Sequence, residues 1–167
     1  MHETRKNFTF IFPANDQYNG ASMKQTHQPY EHVLPRDMLP FLRPADHAIE
    51  VGANLGTMTT YFAAAIGRSG SLIAFEPQAK MVSYVHANLV LNAVNSGQVE
   101  VIHGGVGHAP MTTSMADVIT SGAHKGEGYT SVHATADRIN YGGRTLGRGG
   151  ERVRMQAIDG LSVARLD

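Results

Sequence analysis

The segment Ala48-Ile-Glu-Val-Gly-Ala-Asn-Leu-Gly56 constrains this chain more than any other. A largely apolar run carries Glu50 near its end, and Gly52 and Gly56 then bracket Asn54. Glycines at those two places let the backbone leave a strand and enter a helix while a ligand approaches the main chain closely. The spacing suits a nucleotide-binding crossover but departs from the dinucleotide fingerprint Gly-x-Gly-x-x-Gly. Asn54 stands at its second glycine and Thr57 at its third. Glu50, two residues before the turn, repels a pyrophosphate placed on the following helix N-terminus. The same carboxylate favours a cofactor that carries positive charge.

S-adenosylmethionine is such a cofactor, because its ammonium and sulfonium groups are attracted to a carboxylate at close range. A second acid follows at a useful distance: Leu72-Ile-Ala-Phe75 reads as a short buried strand, and Glu76 closes it twenty residues after Gly56. A carboxylate there accepts hydrogen bonds from both ribose hydroxyls. Strand, acid, glycine turn, helix, second strand and second acid occur in the order that a cofactor-binding half-sheet needs. Glu50 and Asn54 speak against a nicotinamide-dependent oxidoreductase.

Chain length and charge narrow the partners. At 167 residues one domain is expected, and a formal net charge of zero signals neither a nucleic-acid face nor a polybasic membrane patch. Cysteine is absent, which excludes a disulfide scaffold and thiolate metal sites. No apolar run approaches membrane-spanning length, so a cytoplasmic protein acting on a small-molecule or glycan acceptor is the expectation.

Phe8, Phe10 and Phe12 alternate with other residues and predict a strand and turn in an appendage over residues 1–28. Residues 29–43 carry Val33, Leu34, Met38, Leu39, Phe41 and Leu42 around Pro35 and Pro40, which predicts short helical turns packed on the sheet. The first core strand is expected at His47–Val51. A helix then runs to Ile66 on Met58, Phe62, Ala63 and Ile66, and Gly67 stops it. A second helix spans roughly Gln78 to Asn92, with Met81, Val82, Val85, Leu89 and Val90 as its buried stripe. The third strand is Val99 to His103. From Gly104 to about Gly150 the chain is rich in Gly, Ser, Thr and His, which predicts a long loop or loosely built insertion. Arg152 to Ile158 reads as a strand before an Asp159-Gly160 turn.

Glu50-Val-Gly-Ala-Asn-Leu-Gly56, Ala74-Phe-Glu-Pro77 and Asn88-Leu-Val-Leu-Asn92 together resemble the FkbM-type methyltransferases over about Pro29 to Gly107. The resemblance implies an α/β class I methyltransferase fold with a Rossmann-like, mostly parallel sheet, and methyl transfer from S-adenosylmethionine, typically to a hydroxyl oxygen of a sugar or secondary metabolite. Carried over residue by residue, it implies that Glu50, Gly52, Ala53, Asn54 and Gly56 line the methionine end of the cofactor. It further implies that Glu76 binds the ribose beside Pro77, and that the loop Gly104-Gly-Val-Gly-His108, Val106 included, flanks the adenine. The sequence departs from the family at Gly107-His108. It also stops where the next core strand, with its Lys-Ile-Asp-x-Glu-Gly motif, is expected. The expectation is therefore a single incomplete domain: residues 29–107 as cofactor-binding half, 108–152 as insertion, and 153–167 as a strand and the start of the missing half. Such a chain is expected to be marginally stable and prone to self-association; a cooperative, monodisperse monomer in size exclusion and equilibrium unfolding would contradict this.

Methyl transfer to a hydroxyl needs alignment of acceptor and sulfonium and removal of a proton. His103 and His108 fall near the expected edge of the sheet, and they read as polar loop histidines rather than as a base. His103, His108, His124 and His133 follow no metal-binding spacing, so no metal is expected. Arg144, Arg148, Arg152 and Arg154 read as a solvated basic stretch. The competing reading from another class is a non-catalytic cofactor-binding or interaction fragment.

Overall fold

The computed structural model describes residues 8–16, 18–30, 32–116, 141–142, 145–147 and 149–161. Helix α1 (Asn19–Thr26) and the short α2 (Leu34–Met38), continued by a 3-10 turn at Leu39–Phe41, precede the first strand. Strand and helix then alternate as β1 (His47–Val51), α3 (Thr57–Ile66), β2 (Ser71–Glu76), α4 (Ala79–Leu91) and β3 (Val99–His103). The three strands form one parallel sheet in the order β1-β2-β3, with His47 opposite Ser71 and Leu72 opposite Val99. This is the expected α/β, Rossmann-like arrangement.

The core follows from the helical period. Met58, Phe62, Ala63 and Ile66 of α3 meet Val85 and Leu89 of α4 over Leu72, Ala74 and Val99 of the sheet. Each fully buried Leu, Ile or Phe contributes roughly 1.5–3 kcal/mol relative to an exposed one. Several expected core positions fall outside, Val33, Leu34 and Met38 among them. Val90 is 79% exposed, because the buried stripe of α4 runs through Asn88 and Leu89 instead. Phe41 is 83% exposed, and only Leu39 and Leu42 of its segment reach the core.

At Gly56 the first turn of α3 crosses α4 so closely that a Cβ would lie 3.1 Å from the Val85 backbone, at a φ of +79°. Gly56→Ala is therefore expected to destabilise the fold by about 1–3 kcal/mol, read as a lower urea midpoint with unchanged slope. At the other end of α3, Gly67 donates its N–H to Ala63, and the buried Gln98 amide donates to the Ala63 and Gly67 carbonyls.

Residues Phe8 to Phe12 run extended but join no sheet, which corrects the strand expected there. Side-chain amides replace the missing strand partner. Asn88 accepts the Ile11 N–H at 2.8 Å and donates to the Ile11 carbonyl at 3.0 Å, and Asn92 does the same for Thr9 at 2.9 and 2.8 Å. Four helical residues advance about 6 Å and two extended residues about 6.7 Å, so the two periods match.

The long loop expected after Gly104 is also corrected. It contributes β4 (Gly105–Val106), β5 (Met111–Met115) and β6 (Leu146–Gly147), which join β7 (Arg152–Gln156) in a sheet of order β4-β7-β5-β6. Thr112, Thr113 and Ser114 give β5 no apolar alternation to read, and the core beneath is only Met115, Val153 and Met155. β7 ends at Gln156, and a 3-10 turn follows at Ile158–Gly160. Among the described residues no helix is long and apolar enough to cross a membrane.

Candidate functional site

The turn after β1 is bolted to β2, since the Gly52 and Ala53 N–H groups both donate to the Phe75 carbonyl, at 2.9 and 3.0 Å. Gly52 has a φ of +90° and Asn54 a φ of +51°. Asparagine tolerates this left-handed region better than most residues, which is why it can stand where the dinucleotide pattern has glycine. A Cβ on Gly52 would meet nothing within 4 Å, so the main chain there faces open space.

Glu50 and Ala74 are register partners in neighbouring parallel strands, which puts Glu50 and Glu76 on one face at adjacent strand tips. Their environments differ. Glu76 is 3% exposed, and its Oε2 accepts the Asn54 N–H at 2.8 Å while its Oε1 accepts the Gln78 N–H at 2.9 Å. Burial raises its carboxyl above the usual range, against the opposing effect of those donors and of His103. Glu76 thus braces the glycine turn, and each oxygen keeps a further lone pair for a ligand hydroxyl.

Glu50 has no such donors: its Oε2 is buried without a hydrogen-bond partner. Burial pushes its carboxyl up to about 7; Thr59 opposes the rise and the Glu76 carboxylate adds to it. The Thr59 hydroxyl itself reaches no acceptor in hydrogen-bonding geometry. Asn54 Oδ1 is likewise buried and unpartnered. Two orphaned acceptors beside a cavity suit a ligand that brings donors and positive charge, and the ammonium of S-adenosylmethionine is such a group.

Glu50, Gly52, Ala53 and Asn54 line one cavity of about 110 Å³ together with Asn19, Tyr30, Leu55, Thr57 and Met58. The other expected residues lie around it. Gly56 caps α3 against Val85, Glu76 sits behind the Asn54 amide, and Pro77 follows at the tip of β2. Val106 lies in β4, just beyond Gly104, whose N–H donates to the Glu76 carbonyl at 3.0 Å. Asn19 and Tyr30 were not foreseen: Asn19 lies in the segment read as an appendage, and Tyr30 opens the segment of short helical turns, where only apolar residues stood out. The Asn19-Gly20 pair opening α1 was the available signal, since Gly20 lets the helix press against Phe12.

His103 Nε2 is engaged by Glu151 Oε1 at 2.9 Å and by the Pro77 carbonyl at 3.1 Å. The same Glu151 oxygen accepts the Ala79 N–H at 3.0 Å and so stabilises the N-terminus of α4 from the second sheet. His108 is exposed in the turn after β4, and His124 and His133 lie outside the described residues. Among the described residues no three His, Cys, Asp or Glu are grouped to hold a metal ion. Arg152 and Arg154 are exposed beside Thr112 in a shallow cleft of the second sheet; Arg144 and Arg148 lie outside the described residues.

Solved structures similar to this chain include a SAM-dependent O-methyltransferase from Thermotoga maritima, 20% identical, with a TM-score of 0.43 over 49% of this chain and 32% of that one. A SAM-dependent methyltransferase from Aquifex aeolicus is 21% identical, with a TM-score of 0.44 over 61% and 55%. A putative rRNA-methylase from Clostridium thermocellum is 20% identical, with a TM-score of 0.40 over 50% and 40%. The chain thus spans between about a third and just over half the length of these three proteins. No curated protein matches it. The family described as protein-L-isoaspartate(D-aspartate) O-methyltransferase matches residues 5–146, most of the sequence and both strand-tip acids. The chain belongs to that family, and with it to the class I methyltransferases, whose cofactor is S-adenosylmethionine.

Proposed function

We propose that this chain holds S-adenosylmethionine at the glycine turn and serves an O-methyl transfer, with a sugar or secondary-metabolite hydroxyl as acceptor, in the manner of the FkbM-type enzymes it resembles. The observation that carries the reading is the cavity under the turn, where Glu50 Oε2 and Asn54 Oδ1 are buried acceptors without partners. In this reading Glu50 takes the ammonium, and Gly52, Ala53, Asn54 and Gly56 shape the methionine end. Glu76 takes the ribose, and Pro77 and Val106 border the nucleoside. When bound, the cofactor supplies an electrophilic methyl on a sulfonium. The protein's own residues fix its position and exclude water, which is the larger part of an in-line transfer. The setting is cytoplasmic, and the acceptor is neither nucleic acid nor a membrane.

The matched family's description favours a second acceptor, the isoaspartyl carboxylate of a protein. Radiolabelled methyl transfer separates the two: label in hydroxylated glycans or metabolites supports the first reading, and label in an isoaspartyl peptide supports the second. Tight cofactor binding without transfer to either would point to a non-catalytic cofactor-binding fragment.

A further inference from the structure

The proposed cofactor has an amino-acid end with two opposite charges, and the residues assigned so far answer only one of them. Glu50 suits the ammonium; a carboxylate placed beside it requires donors. The N-terminal segment adds Asn19 and Tyr30 to the wall of the cavity that the glycine turn lines. Asn19 is 4% exposed, and its side chain makes no hydrogen bond among the described residues. It is also the first residue of α1, whose N-cap Tyr18 offers no side-chain cap, so unpaired N–H groups and the positive end of the helix lie at the same place. Asp16 accepts the Tyr18 N–H at 3.1 Å but is not part of the cavity wall.

We propose that Asn19, at the start of α1 and beside Tyr30, is the residue that recognises the cofactor's carboxylate, so that the N-terminal segment forms half of the amino-acid pocket. This rests on the cofactor assignment above. The Asn19 amide donates an N–H to a carboxylate oxygen, the helix terminus adds favourable potential, and Tyr30 closes the wall. Glycine turn and N-terminal segment then each read one of the two charges, which selects an α-amino acid over a simple amine.

Calorimetry with S-adenosylmethionine and with its decarboxylated analogue, which keeps the ammonium and sulfonium, tests the assignment. The wild-type protein is expected to prefer the carboxylate form by at least about tenfold. In Asn19→Asp that preference should vanish or invert through like-charge repulsion, with the analogue's affinity changed less than about threefold. Asn19→Ser gives a milder test if the aspartate variant fails to fold. Equal weakening of both ligands, or no change in either, would overturn the proposal while leaving the cofactor assignment standing. Failure of the wild-type protein to bind either would overturn both.

Discussion

Replacing Glu50 by glutamine is expected to make the ligand-free protein harder to unfold at pH 8, by up to about 3 kcal/mol, while removing most of its affinity for S-adenosylmethionine. The sign follows from the proton balance. The Glu50 carboxyl is raised from 4.5 to about 7 by burial, so between those values the folded state holds a proton that the unfolded state has released. Its contribution is full below about pH 4.5 and is lost as pH rises through about 7. Above that, a half-buried carboxylate with one oxygen cut off from water and from donors weighs on the fold, and a neutral amide of the same shape relieves it. The function lost is the attraction for the ligand's cation, a charged hydrogen bond whose removal should weaken binding by at least about 30-fold. Urea unfolding at pH 5 and pH 8 checks the first half, with the variant's advantage confined to the higher pH. Equal stability of the two proteins at pH 8 would show that Glu50 is comfortably solvated, and the electrostatic argument would fail.

Asn88→Ala is expected to cost about 2–4 kcal/mol, a large loss for a polar-to-apolar change on a helix. Asn88 is fully buried, and its amide ties three things together. It donates to the Leu55 carbonyl inside the glycine turn at 2.8 Å, donates to the Ile11 carbonyl and accepts the Ile11 N–H. Alanine would leave those main-chain groups without partners, and the N-terminal segment and the turn would loosen together. Asn92→Ala removes the equivalent, solvent-exposed rung at Thr9 and should cost no more than about 1 kcal/mol. The contrast, measured by chemical unfolding and by hydrogen exchange at Ile11, separates a buried network from a surface contact. Similar losses for both variants would contradict it.

The half-sheet was legible in the sequence because its signals are local. His47–Val51, Thr57–Ile66 and Val99–His103 lie where apolar period and glycine punctuation put them. The elements that escaped have partners far along the chain. Phe8 to Phe12 alternates like a strand, yet its ladder is made by asparagines about eighty residues away, a contact that no periodicity shows. β5 escaped because threonine and serine favour strand geometry without marking a buried face, and because its pairing to β7 spans a long stretch of chain. Within the site, the acids and the glycine turn were visible as chemistry. Asn19 and Tyr30 were not, since an asparagine and a tyrosine acquire meaning only when the fold brings them to the same cavity as Glu50.

If the unpartnered Glu50 oxygen under the glycine turn awaits a cation, ligand affinity must follow the ionisation of that carboxyl. Calorimetry with S-adenosylmethionine between pH 5.5 and pH 7.5 should show binding strengthen by about tenfold per unit while Glu50 is protonated, and level off above about pH 7. The Glu50→Gln variant should bind weakly and without that slope. Wild-type affinity that is flat across the range, or that falls as pH rises, would contradict the account.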